Sequence, residues 1–151
     1  MRKFLILFLL VLMRLQVFAD DIVITVSDLT WGEKNELEVN MTNDLDVNGL
    51  QMDLTLPDGL SFVKEKNGDI EPIVTDRLKG MTIMCRALPS GKYRVVFFSM
   101  SGKKVAGQDG CIMRLPLKKE EDMGKGKYEV RVFNASASCS AEGKMVGVKI
   151  P

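Results

Sequence analysis

Val47-Asn48-Gly49-Leu50-Gln51-Met52-Asp53-Leu54-Thr55-Leu56-Pro57-Asp58-Gly59-Leu60-Ser61-Phe62-Val63 is the stretch on which the fold turns. Leu50, Met52, Leu54 and Leu56 fall on one side of an extended chain, and Gln51, Asp53 and Thr55 on the other. Strict alternation at period two marks a β-strand with one buried and one solvated face. Pro57 lacks an amide donor and Asp58-Gly59 are turn formers, so the strand stops there. Leu60, Phe62 and Val63 then resume the apolar pattern.

Working outward, the neighbouring segments repeat this pattern. Ile22 to Val26 is β-branched, and Glu36 to Thr42 alternates with Leu37, Val39 and Met41 on one side. Beyond the central stretch, residues 64–80 read as a longer connection with a tight-turn signal at Asn67-Gly68-Asp69. Strands return at Met81–Ala87, Tyr93–Met100, Cys111–Lys118, Tyr128–Val132 running into Asn134–Ser138, and Lys144–Ile150. From Val95 onward the Tyr93–Met100 segment is apolar on both sides, as expected of a central strand covered on both faces. No helical periodicity competes. The expected class is all-β: an antiparallel β-sandwich of jelly-roll type with eight or nine strands.

The chain has 151 residues, which suggests one folded domain. Its first nineteen residues stand apart. Arg2-Lys3 precede an unbroken apolar run from Phe4 to Met13, and Val17-Phe18-Ala19 leads to Asp20-Asp21. That is the layout of a secretory signal peptide, and the run is too short to cross a bilayer. Residues 1–19 are therefore read as a cleaved leader and residues 20–151 as the mature domain, secreted or held at the cell surface, with no membrane span. Arg2, Lys3 and Arg14 leave with the leader, so 18 of the 21 bases face all 20 acids, a formal charge of −2. Interspersed signs near neutrality give no electrostatic footprint for nucleic acid.

Histidine is absent, which removes the usual base of a hydrolytic triad and a common zinc ligand. The acids lie in turn-like segments or on solvated strand faces, so no catalytic residue is assigned, no enzyme is expected and no cofactor is implied. Asp44 and Asp46, with Asn43 and Asn48 beside them, are calcium candidates by ligand type, but they match no fixed ligand spacing and are also ordinary turn chemistry. In an oxidising compartment Cys85, Cys111 and Cys139 allow one disulfide with a thiol left over; equally, each reads as a small buried hydrophobe. Trp31, the single tryptophan, could stack on a sugar ring or cap the end of the core. Met84 and Met100 fall opposite the inward methionines, alongside Phe98 and Leu88, where an apolar outer patch would suit a protein partner. Asn40-Met41-Thr42 and Asn134-Ala135-Ser136 match the glycosylation acceptor pattern, which matters in a eukaryotic secretory route.

The order and spacing of Val47-Asn48-Gly49-Leu50-Gln51-Met52-Asp53-Leu54, Arg77-Leu78-Lys79-Gly80, Gly107 to Gly110, Asp109 to Leu115 and Gly126 to Ser136 resemble the cohesin-like modules. The likeness runs over residues 22–150 and is similar to cohesin-like domains in secreted proteins of Bacteroidetes. It implies a jelly-roll sandwich shared with carbohydrate-binding modules, and a non-catalytic recognition role. The expected partner is an extracellular protein, bound through one sheet face at Gln51, Asp53 and Thr55. The alternative is a glycan bound near Trp31.

Overall fold

The computed structural model describes residues 22–30, 35–120, 124, 126–139 and 144–151. The proposed leader, residues 1–19, lies outside the described residues, and so does Trp31. Among the described residues there are strands β1 (Ile22–Val26), β2 (Leu29–Thr30), β3 (Glu36–Asn43), β4 (Val47–Thr55), β5 (Leu60–Phe62) and β6 (Ile73–Val74). The chain continues as β7 (Thr82–Ala87), β8 (Tyr93–Phe98), β9 (Cys111–Lys119), β10 (Lys127–Tyr128), β11 (Arg131–Cys139) and β12 (Lys144–Gly147). The only helical turn among them is a 3-10 turn at Asp76–Leu78. No helix among the described residues is long and apolar enough to cross a membrane.

Two antiparallel sheets make the sandwich. In the first, β1 pairs with β3 and β3 with β9, and β5 and β6 follow one another along the far edge of β9. The second has the order β12-β11-β4-β8-β7. β2 and β10 form a separate two-residue ribbon. The stretch from Val47 to Val63 serves both sheets: β4 is the middle strand of the second, and β5 lies at the edge of the first. The Pro57–Gly59 turn carries the chain between them. Leu60 N–H donates to the Pro57 carbonyl at 3.2 Å, and Gly59 adopts φ 87°, a left-handed conformation that costs glycine little.

The inward faces alternate as the residue pattern predicts. Ile22, Ile24, Leu37, Val39 and Met41 from the first sheet meet Leu50, Met52, Leu54, Val95 and Phe97 from the second, all buried. The fully buried Phe62 and Phe97 each contribute roughly 1.5–3 kcal/mol through removal from water. Phe62 packs edge-on to Tyr93, with ring centroids 4.7 Å apart.

Residues 64–80, read as a long connection, hold β6 and the 3-10 turn. Leu78 from that turn plugs one end of the core at 1% exposure, and Arg77 beside it ties the same end together. Its Nε donates to the Ala106 carbonyl at 2.7 Å, its Nη1 to the Met41 and Gly110 carbonyls at 2.7 Å each, and its Nη2 to Asn43 Oδ1 at 2.8 Å. The two short motifs at Arg77–Gly80 and Gly107–Gly110, separate in sequence, meet through this guanidinium.

One expectation needs correction. β8 is not covered on both sides: Val95 and Phe97 are buried, but Val96 and Phe98 point outward and are half-buried. β4 does sit in mid-sheet, yet no second layer among the described residues covers its outer side. Cys85, Cys111 and Cys139 are all free, which favours the reading of cysteine as a packing residue over a bridge. Burial pushes the Cys85 thiol up to about 12 and also raises the thiols of Cys111 and Cys139.

Candidate functional site

Directly opposed residues in an antiparallel ladder point to the same face, so the register defines the outer surface of the second sheet row by row. One row runs Thr82, Phe98, Gly49, Ser138, Met145 across β7, β8, β4, β11 and β12. The next runs Met84, Val96, Gln51, Ser136, Gly147. Neither row carries a charge. The third runs Arg86, Arg94, Asp53, Phe133, and beyond it Thr55 faces Arg131.

The uncharged rows mix four large apolar side chains with small or polar ones. Met84 is 41% and Met145 63% exposed, and Phe98 and Val96 are half-buried between them. Met100, in the turn after β8, is 84% exposed. A shallow groove of about 190 Å³ runs between Phe98, Val96, Gln51, Ser136, Ser138 and Met145. Its floor is Gly49. A Cβ built there would lie 2.8 Å from Ser138 Oγ, whose hydroxyl donates to Asn48 Oδ1 at 2.6 Å. The missing side chain therefore keeps both the hollow and that hydrogen bond.

Gln51 and Thr55 lie on this outer side, half-buried, as the alternation requires. Asp53 lies on it too but is not solvated, which corrects the expectation of a wet face: it is 2% exposed. Arg94 covers it with two parallel bonds, Nε to Oδ1 at 2.8 Å and Nη2 to Oδ2 at 3.0 Å. Asn134 Nδ2 adds a third to Oδ2 at 3.2 Å. Asn134 reaches it from an irregular stretch of β11, where the pairing shifts between Phe133 and Ser136 and Asn134 adopts φ 49°. The Arg94 guanidinium holds the Asp53 carboxyl below the usual carboxylate range; Asn134 pulls the same way, and burial opposes both. A carboxylate so paired is a structural anion, unlike the raised carboxyl that a general acid needs. Arg94 and Asn134 were not legible as site residues, because only the register brings them to Asp53.

Lys92, just before β8, stands over the Phe133 ring with its Nζ 4.8 Å from the centroid. Arg86 pairs with Asp69 at 3.4 Å and Arg131 with Glu129 at 3.7 Å, all well exposed.

The calcium candidates are already engaged in part. Asp46 Oδ1 pairs with Lys104 Nζ at 3.1 Å, and Asn43 is buried, accepting from Arg77 and donating to the Leu45 carbonyl at 2.9 Å. Asp44 is exposed. Among the described residues no three His, Cys, Asp or Glu side chains group in a way that could hold a metal ion.

A second concavity, about 810 Å³, opens between β1 and the start of β11. Val26, Tyr128, Val130, Val132 and Ile150 line it, with Thr25, Ser27, Asp28, Thr55, Lys92 and Arg131 among its polar groups.

Solved structures share this architecture. The chain superposes on a non-cellulosomal cohesin from the archaeon Archaeoglobus fulgidus with a TM-score of 0.60 at 12% identity, covering 86% of each chain. The fold is cohesin-like. A type I cohesin–dockerin complex from Clostridium thermocellum aligns with TM-score 0.63 at 11% identity over 87% of this chain and 94% of that one. The type II cohesin A11 from Bacteroides cellulosolvens gives 0.63 at 14% identity over 87% and 95%. No protein-family model and no curated protein matches the sequence. The cohesin-like modules proposed from the residue pattern thus agree with the fold, at identities that speak to fold alone.

Proposed function

We propose that the chain is an exported, non-catalytic recognition module that binds another protein through the outer face of the β12-β11-β4-β8-β7 sheet. The observation that carries this reading is the pair of uncharged rows in which Met84 and Met145 are exposed and Val96 and Phe98 half-buried on one face of a five-stranded sheet. A contiguous apolar patch of this kind marks a docking surface more often than a free one, and methionine adapts its shape to what it meets. Cohesin–dockerin complexes among the structural neighbours add support by analogy of fold. The leader-like residues 1–19 support export.

Affinity capture from the extracellular fraction of the source cells tests this reading when run with paired variants. Met84→Glu and Met145→Glu should each abolish capture, whereas Thr42→Lys, on the outer side of the other sheet, should leave it intact. Capture that survives both methionine substitutions refutes the assignment of the face.

The cleft beside β1 gives a second reading, a weak glycan site. Tyr128 beside the Thr25, Ser27 and Thr55 hydroxyls is the combination of ring and polar rim that sugars use. A glycan array would decide: binding lost on Tyr128→Ala and kept on Met145→Glu favours the cleft, and no binding dismisses it.

A further inference from the structure

The recognition face is polar along one axis, and that polarity describes the partner. The two rows from Thr82 to Met145 and from Met84 to Gly147 hold no ionisable side chain. The rows beyond them hold Arg86, Arg94 and Arg131, with Lys92 beside Phe133. The acids at this end are already committed: Asp53 is buried under Arg94, Asp69 meets Arg86, and Glu129 meets Arg131. Arg86, Arg94 and Arg131 are each matched by one of these acids, so Lys92 is the one positive charge in excess: it reaches Asp53 only through its longer-range field, and its ammonium lies 4.8 Å from the Phe133 ring centroid. Arg94 grips Asp53 through Nε and Nη2 and is 41% exposed at its side chain. The surface therefore passes from an apolar hollow above Gly49 to a fixed cationic edge. Gly49 and Asp53 are four residues apart on β4, about 13 Å at the rise of an extended chain.

We infer that the partner is a protein segment that places a large apolar side chain in the Gly49 hollow and an acidic side chain about 13 Å away against Lys92 and Arg94. This inference rests on the face reading above and adds its chemistry and direction. A partner that bound in the reverse sense would set its acid on Met145 and Phe98, where nothing offsets the loss of hydration, and its apolar group on the cations. Charge thus fixes orientation, and the apolar contact supplies most of the affinity.

A displayed random peptide library, selected on the intact mature chain, tests the inference without requiring the natural partner. Peptides that lose binding on Met145→Glu should pair a large apolar residue with Asp or Glu, and Lys92→Glu should weaken them about tenfold. Repeating the selection on the Lys92→Glu protein should exchange the acid for Lys or Arg. Far-ultraviolet circular dichroism confirms that each variant is folded; both substituted positions are on the surface. Peptides lost on Met145→Glu but indifferent to Lys92→Glu, or without an acid, overturn the charge assignment and leave the face reading standing. Enriched peptides indifferent to both substitutions, or no enrichment, overturn both.

Discussion

Replacing Asp53 by Asn keeps the shape of the side chain and removes the charge that Arg94 grips. Because Asp53 is buried, the substitution should cost about 1–3 kcal/mol in a urea titration at neutral pH. The sign with pH follows from the lowered carboxyl. A group whose folded pKa is depressed stabilises the fold above its unfolded value, near 4, and loses that contribution as pH falls through the folded value. The wild-type stability curve should therefore drop more steeply below about pH 4 than that of Asp53→Asn; parallel acid limbs would contradict the pairing. The three thiols offer an independent check. Unfolded protein should take up three equivalents of a thiol reagent, and Cys85, buried with its thiol pushed up to about 12, should resist alkylation in the native state at pH 8. That Asp53 belongs to the outer side of β4 was legible from alternation. That it is buried was not, since its cover comes from Arg94 and Asn134, residues 41 and 81 positions away.

At the scale of elements, the longer strands appear where the sequence places them: β1, β3, β4, β8 and β9 all match their predicted segments within a few residues. The two-residue strands β2 and β6 had no pattern to read, because pairing with a distant partner makes them rather than their own side chains, and the single strand read from Tyr128 to Val132 is in fact divided between β10 and the start of β11. The 3-10 turn bearing Arg77 and Leu78 was hidden for the same reason; its anchors are the carbonyls of residues 41, 106 and 110. Arg77→Met keeps much of the aliphatic stem and removes four bonds, leaving carbonyls in a partly buried site. We expect a loss of about 2–4 kcal/mol in denaturant unfolding, with faster hydrogen exchange in residues 106–110. A change below about half a kcal/mol would show that the clasp is incidental. Gly49→Val should close the groove and force Ser138 from Asn48, lowering stability and denying the hollow to any partner.

For the molecule as a whole, the sandwich was legible because each sheet buries one face and the apolar alternation records it. The docking face was only partly so. Met84 and Phe98 stood out as outward apolar residues, but Val96, Gly49 and Met145 join them only through the register of five strands. The segregation of uncharged and cationic rows likewise belongs to the assembled sheet and to no single segment. The central claim is that this face, and not the outer side of the other sheet, meets a protein partner. Hydroxyl-radical footprinting of the mature protein, alone and saturated with a partner captured from the extracellular fraction, tests it most directly. Met84, Phe98 and Met145 should be protected on binding, while Ile73 on the opposite sheet and Val63 just past β5, both exposed, keep their reactivity. Protection of Val63 and Ile73 with unchanged oxidation of Met84 and Met145 would contradict it.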